Sequence, residues 1–250
     1  MCNKAWRWGL RGLLCLLCGS SWAGLMAEST RVVFAAGSAE QSLQLINLNR
    51  YPVVVQAWVD DGRLDSGPDT LGAAEAAVMP MPPIFRLNPD GQISLRLIAT
   101  GTPLPADRES LFWLNLYEIP PARTDLPAAA RTLTVTLRTQ MKVLMRPAGL
   151  RAALEDLPRR LRFAITRESG GAQLRIDNSS PYFASFRALE LRCVGLPALA
   201  LAADMAPPLA ALSLPLPASF RCEDGAATAR FLLLDDDGQP LAGETRVGER

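Results

Sequence analysis

Apolar residues along this chain recur in short runs, mostly at every second position, which is the period of a half-buried strand rather than of a helix. Arg31-Val-Val-Phe-Ala comes first, followed by Gln41-Ser-Leu-Gln-Leu-Ile-Asn, where Leu43 and Leu45 alternate with polar neighbours. Val53-Val-Val-Gln-Ala-Trp-Val is next, and Gln92-Ile-Ser-Leu-Arg-Leu-Ile repeats the alternation through Ile93, Leu95 and Leu97. Leu111 to Ile119 reads as a further strand, and the longest run extends from Thr132 to Met145. Turn chemistry separates them at Asp61-Gly62, Pro89-Asp90-Gly91 and Gly101-Thr-Pro, where glycine and proline supply the backbone angles a reversal needs. Arg146-Pro147 ends the long strand, because proline has no N–H to continue a ladder.

A mixed polar segment to about Arg160 reads as a linker. A second β set then begins: Leu161 to Arg167, Ala172 to Asn178, Tyr182 to Cys193, Leu209 to Leu216 and Ala229 to Leu234. The alanine- and leucine-rich stretch Ala198 to Ala211 fits a short helix or a loop. Strands this short and this closely spaced predict an all-β chain of two immunoglobulin-like β-sandwich domains, residues 24–147 and 148–250, hinged near Pro147. Trp58 and Trp113 are expected in the first sandwich core.

The first two dozen residues have a different composition. Lys4, Arg7 and Arg11 precede an apolar stretch containing Leu13 to Leu17, and Ser21-Trp22-Ala23 offers small residues at the two positions a signal peptidase reads. Residues 1–23 are therefore expected to be a signal peptide cleaved after Ala23, with Ala27 the second choice. The apolar run is shorter than the roughly 18 to 20 residues that span a bilayer, so no stable membrane insertion is expected. Neither Cys15 nor Cys18 follows a small residue, which argues against lipoprotein processing. Removing the segment takes three basic residues and no acidic ones from a chain of formal charge +1, leaving the mature protein slightly acidic and unlike a nucleic-acid binder. It also takes Cys2, Cys15 and Cys18. Cys193 and Cys222 remain, an even pair suited to a disulfide in an oxidising compartment.

The chain contains no histidine, which removes the usual general base, the Ser-His-Asp relay and every histidine metal site. No metal or cofactor is expected, and no enzymatic activity. A hydrolase working through carboxylates would have to use Asp60 and Asp61 or the run Asp235 to Asp237; both lie in turn contexts and are expected as solvated loops.

Leu104-Pro-Ala-Asp-Arg-Glu-Ser-Leu-Phe-Trp-Leu-Asn-Leu-Tyr-Glu-Ile-Pro-Pro121 resembles the signature block of periplasmic pilus-assembly chaperones, the chaperone–usher family. Further similar blocks follow in family order. They are Thr30-Arg-Val-Val-Phe34, Gln56-Ala-Trp58, Pro82-Pro83 with Arg86-Leu87, Lys142-Val-Leu-Met-Arg-Pro147, Arg175-Ile-Asp-Asn-Ser-Ser-Pro-Tyr-Phe183 and Asp235 to Pro240. The resemblance implies two immunoglobulin-like domains set like a boomerang around a cleft. It implies a chaperone that binds, folds and caps pilus subunits by donor-strand complementation and passes them to an outer-membrane usher. Such a chaperone lends a strand to a subunit whose own sandwich lacks one. By resemblance Leu133, Val135 and Leu137 form the donor strand and Arg31 and Lys142 grip the subunit's C-terminal carboxylate. Glu109, Arg146 and Asp235 form an interdomain salt bridge. Lys142 differs in parity from the three apolar residues, so a bulge or strong twist is expected between Leu137 and Lys142. The cysteine-free segment Pro120 to Arg131 resembles the family's short-loop branch, whose clients usually form rigid rods. Relatives commonly carry a further strand where this chain is short and polar after Pro240, so a reduced last edge is expected. The free protein would cap its exposed strand by self-association. A structural pilus or adhesin component is the alternative; a subunit would carry an N-terminal alternating extension and one incomplete sandwich.

Overall fold

The computed structural model describes residues 24–35, 37–62, 77–122, 133–150, 152–168, 171–222 and 227–249. The signal-peptide expectation, Thr132 and most of the segment from Pro120 to Arg131 fall outside them. Nine strands build the first unit: β1 (Leu25–Ala27), β2 (Arg31–Phe34), β3 (Glu40–Asn47), β4 (Val53–Asp60), β5 (Val78–Met81), β6 (Ile84–Leu87), β7 (Gln92–Ala99), β8 (Ser110–Ile119) and β9 (Leu137–Met145). They form a four-stranded sheet, β1-β3-β7-β5, and a five-stranded sheet, β2-β9-β8-β4-β6. The two-residue alternation explains the pairing of layers. Leu43, Leu45, Leu95 and Leu97 point inward from one sheet, and Val55, Ala57, Leu114, Leu116, Met141 and Val143 from the other.

The two tryptophans do not join that core. Trp58 and Trp113 fall between inward-pointing residues of β4 and β8, so strand parity puts both on the outer face of the five-stranded sheet, half-buried. Each ring instead supports a cation, as described below.

The segment read as a linker contains a 3₁₀ turn, Leu154–Asp156, and a one-turn helix α1 (Leu157–Arg160), and Leu157 is fully buried in the second core. The second unit follows with β10 (Leu161–Glu168), β11 (Gly171–Asn178), β12 (Ala184–Cys193), β13 (Leu199–Ala200), β14 (Met205–Ala206), β15 (Ala210–Pro215), β16 (Ala227–Leu234) and β17 (Pro240–Glu249). The stretch Ala198 to Ala211 thus supplies two short strands and the start of a third, and no helix. Cys193 at the end of β12 is bonded to Cys222, with Cα atoms 5.9 Å apart. Closing a loop of this size restricts the unfolded chain by about 3–4 kcal/mol.

The expectation of a reduced last edge is overturned by β17. This strand pairs antiparallel with β16 through Pro240 to Arg246, then parallel with β10 through Val247 to Glu249, so it lies inside the sheet and joins the two layers. Its polar residues occupy the exposed alternate positions Glu244 and Arg246, while Val247 is buried. The polar composition was one face of a strand. Gly243 permits this passage: a Cβ there would sit 2.2 Å from the Phe231 ring, which is itself stacked on Phe163. Gly243→Ala is therefore expected to destabilise the protein by about 1–3 kcal/mol through overpacking, read as a lower denaturant midpoint; an unchanged midpoint would show that the ring can move aside freely.

Candidate interdomain binding cleft

The two units are tied together by Arg146, which follows β9. Its guanidinium donates to Glu109 Oε1 at 2.9 Å through Nε and to both carboxylate oxygens of Asp236 at 2.8 Å through Nη1 and Nη2. It also lies over the Tyr182 ring, 4.9 Å from the centroid. Glu109 is itself bonded across the hinge: Oε2 accepts from the Phe183 amide at 2.8 Å, and its own amide donates to the Pro181 carbonyl at 2.9 Å. The predicted network of Glu109, Arg146 and Asp235 is therefore present with one correction. Asp236 is the second carboxylate. Asp235 instead closes its own turn, accepting from the Gln239 amide at 2.7 Å. That turn rotates the next residue toward Arg146, a difference of one position that no run of three aspartates reveals.

The two predicted anchor cations are brought side by side. β2 runs parallel to β9, and Arg31 is the direct partner of Lys142. Parity puts Val32 and Phe34 in the core and Arg31 on the outer face, where Lys142 also lies. Arg31 is 7% exposed; burial lowers its pKa from the usual arginine value, opposed by Asp236, Asp235 and Glu109. Its Nη1 donates to the Leu234 carbonyl across the cleft at 3.4 Å, and its Nε is buried without a hydrogen-bond partner among the described residues. Lys142 Nζ sits 5.6 Å from the Trp113 ring centroid and 2.7 Å from Oδ1 of Asp204, a largely exposed side chain of the second unit. Between them opens a cavity of about 370 Å3, lined by Arg31, Lys142, Trp113, Gln140, Arg187 and Leu234 among others. Gln140 Nε2 is a second buried donor without a partner there, among the described residues. The cavity is rich in donors and short of acceptors, which suits an anionic group.

The predicted donor segment is not core. Leu133, Val135 and Leu137 are 89%, 62% and 50% exposed. β9 begins only at Leu137, so Leu133 to Thr136 precede it without a ladder among the described residues. The expected bulge is absent: the β8–β9 register runs unbroken from Glu118↔Leu137 to Ser110↔Met145. Parity needs no repair, because Leu137 shares the face of Met141 and Val143, while Lys142 faces the cleft. The other edge of β9 is covered by β2 only from Lys142 onward. From Leu137 to Met141 no described strand pairs with it.

A buried polar cluster was missed in sequence. Asp60 is fully buried, not a solvated loop carboxylate. It accepts from Trp58 Nε1 at 3.1 Å, the Gly62 amide at 2.8 Å, Asn115 Nδ2 at 2.8 Å and Arg138 Nη2 at 3.0 Å. Arg138 in turn lies 5.1 Å from the Trp58 ring centroid. The available signal was parity: Trp58, Asp60, Asn115 and Arg138 all alternate with core residues on three adjacent strands.

One cation serving two carboxylates leaves its mark on titration. Burial works against the Arg146 charge, but hydrogen bonds to Asp236 and Glu109 outweigh it and hold its pKa above the ordinary arginine value. Burial raises Glu109 above the usual glutamate range, more than the Phe183 amide and Arg146 lower it. The folded chain thus holds this proton more tightly than the unfolded chain, so stability rises as pH falls through the window just above the ordinary glutamate value. In Glu109→Gln that contribution is gone. Denaturant titrations between about pH 4 and pH 7 should show the parent gaining on the variant as pH falls; parallel curves would contradict the assignment.

Two family descriptions cover nearly all of the described chain: the N-terminal domain of PapD, a pili and flagellar-assembly chaperone, over residues 24–151, and the C-terminal domain of the pili assembly chaperone PapD over residues 156–245. The chain is 33% identical over 183 residues to the chaperone protein FimB/FhaD of Bordetella pertussis, covering 72% of each. It is 32% identical over 178 residues to the probable fimbrial chaperone YadV of Escherichia coli K12, covering 70% of this chain and 71% of that one. The crystal structure of YadV superposes with a TM-score of 0.74 at 25% identity, over 89% of this chain and 98% of that one. The SafB chaperone of Salmonella enterica, solved with the SafA pilin, is similar at a TM-score of 0.69 and 26% identity, over 90% and 96% of the chains. With two β-sandwich domains joined at a cleft and both halves matched, this chain belongs to the PapD family of pilus-assembly chaperones.

Proposed function

We propose that this chaperone holds pilus subunits in the periplasm by lending them the segment Leu133 to Leu137, and that it passes them to an outer-membrane usher. The observation that carries this reading is the exposed apolar alternation leading along an unpaired strand edge to two cations. An incomplete subunit sandwich offers the complement: an open groove that accepts apolar side chains at every second position, and backbone groups in need of a ladder. Burying each of the three side chains in such a groove contributes roughly 1.5–3 kcal/mol.

The partial cover of β9 supports a direction for the bound strand. A client strand lying on the open edge parallel to β9 ends where β2 begins, at Arg31 and Lys142. Its terminal carboxylate would then make charge-assisted hydrogen bonds to both cations. An antiparallel strand would bring its ammonium there instead and be repelled. The anchored carboxylate would also set register, since a slip of one residue turns every apolar side chain away from the groove. The similarity to SafB, solved with a pilin, supports a subunit as the client. Before the client chain arrives Asp204 occupies Lys142 and has to release it.

The test is co-expression with neighbouring open reading frames and capture of the tagged chaperone from the periplasm. Val135→Asp lies on an exposed side chain, so the unfolding midpoint should stay within about 0.5 kcal/mol of the parent while the subunit complex is lost. Lys142→Ala and Arg31→Ala should also lose the complex, with circular dichroism confirming that each variant remains folded. Subunit recovery equal to the parent's from all three variants would overturn this reading.

A further inference from the structure

A third cation faces the cleft from the second unit. Arg187 lines the same cavity as Arg31 and Lys142. It occupies a register shift in β12: Phe186 pairs with Leu233 and Ala188 with Leu232, so Arg187 is an extra residue without a cross-strand partner. Such a bulge re-aims a side chain. Arg187 makes no hydrogen bond or ion pair among the described residues. Of the neighbouring cations, Arg146 is matched by Glu109 and Asp236 and Lys142 by Asp204, whereas Arg31 bonds only the Leu234 carbonyl among the described residues and is kept for the client's terminal carboxylate.

We propose that Arg187 reads an acidic side chain in the last two residues of the client strand, beside the terminal carboxylate held by Arg31 and Lys142. This rests on the carboxylate-anchor reading above. Arg187 has no acidic partner among the described residues, and the client's terminal carboxylate is taken by Arg31 and Lys142, so a second acidic group on the client is the complement that Arg187 fits. The cavity volume lies within the range of small-ligand sites, enough for a chain end with its side chains. A planar guanidinium suits a carboxylate better than an ammonium would.

The experiment uses the exported, mature protein and labelled synthetic peptides of alternating valine and threonine. The peptides end in a free carboxylate or an amide, with Asp or Asn at the last or next-to-last position, and affinities are read by fluorescence anisotropy. The parent should prefer one Asp peptide to its Asn counterpart by about tenfold, the worth of a hydrogen bond between charged groups. Arg187→Ala should remove that preference and keep the preference for carboxylate over amide. If the parent favours carboxylate over amide and treats Asp and Asn alike, the Arg187 assignment falls and the anchor stands. If Arg187→Ala weakens Asp and Asn peptides equally, Arg187 acts by its field alone and the specificity role is overturned. Indifference to carboxylate and amide, or failure of every peptide to bind, overturns the anchor reading and this one with it.

A separate observation concerns the start of the mature chain. Glu118 is 5% exposed and forms no ion pair among the described residues, and its carboxylate accepts one hydrogen bond there, from Asn49 Nδ2 at 3.4 Å. Asn49 Oδ1 accepts from the Gly24 amide at 3.0 Å, and a Cβ on Gly24 would lie 4.0 Å from Glu118 Oε1. A buried carboxylate without a cation is costly. We infer that cleavage after Ala23 supplies the cation: the new α-ammonium of Gly24 pairs with Glu118 and fastens β1 to its sheet. Cleavage after Ala27 would instead discard β1. N-terminal sequencing of the exported protein tests the cleavage, with Gly24 expected first and any other residue overturning it.

The ion pair is tested by Glu118→Gln in the parent and in a variant with two residues inserted between Ala23 and Gly24, which moves the ammonium outward. Glu118→Gln should lower the melting temperature of the parent and raise that of the extended form, where the buried charge has lost its partner. A shift of the same sign and size in both overturns the pair, whichever residue begins the chain.

Discussion

Arg146 stands just past the end of β9 and has to satisfy two carboxylates, Glu109 from its own unit and Asp236 from the other. Buried ion pairs of this kind often add little net stability, because desolvation offsets the attraction. Their effect here is geometric. A planar guanidinium bonded on two sides and stacked on Tyr182 leaves few orientations for the units about their hinge, and Glu109 adds backbone bonds to Pro181 and Phe183. The cleft is made of parts from both units: Arg31, Lys142 and Trp113 on one wall, Arg187, Asp204 and Leu234 on the other. Rotation about the hinge would separate them, and the Arg146 network is the most heavily bonded contact that opposes it.

β9 carries several duties because a strand has two faces and two edges. One face gives Met141 and Val143 to the core and continues outward to Leu137. The opposite face bears Arg138, Lys142 and Arg146, each set against an aromatic ring. One edge is fully paired with β8, and the other is closed by β2 only from Lys142 onward. An open apolar edge invites unspecific pairing. On the proposed reading the cations beside it would restrict which chain end can approach; without a client, Lys142 is paired with Asp204.

Two carboxylates of the first unit, Glu109 and Glu118, are buried within this framework. Glu109 is held between burial and a cation already shared, which makes the hinge sensitive to acid in a direction set by desolvation. Glu118 lies at the far end of β8 with no ion pair among the described residues, close to Gly24, where the proposed cleavage would create an ammonium.

The sequence by itself determined what depends on local periodicity and on neighbours along the chain. The two-residue alternation located most strands, Pro147 marked the end of β9, and the motif blocks singled out Arg31, Lys142, Glu109 and Arg146. Both cysteines of the bonded pair were legible because they alone remained once the expected signal peptide was set aside. What sequence did not decide was which face a residue turned to and which neighbour it met. Trp58 and Trp113 looked like core by composition, yet parity against β4 and β8 sets them outside. Asp60 looked like a turn carboxylate until three strands enclosed it. The partner of Arg146 moved from Asp235 to Asp236 because a turn spends the first aspartate on its own backbone. The polar C-terminal run became an interior strand because only its alternate positions meet solvent. Each of these outcomes depends on contacts between segments far apart in the chain, whose energies exist only after the sheets have closed.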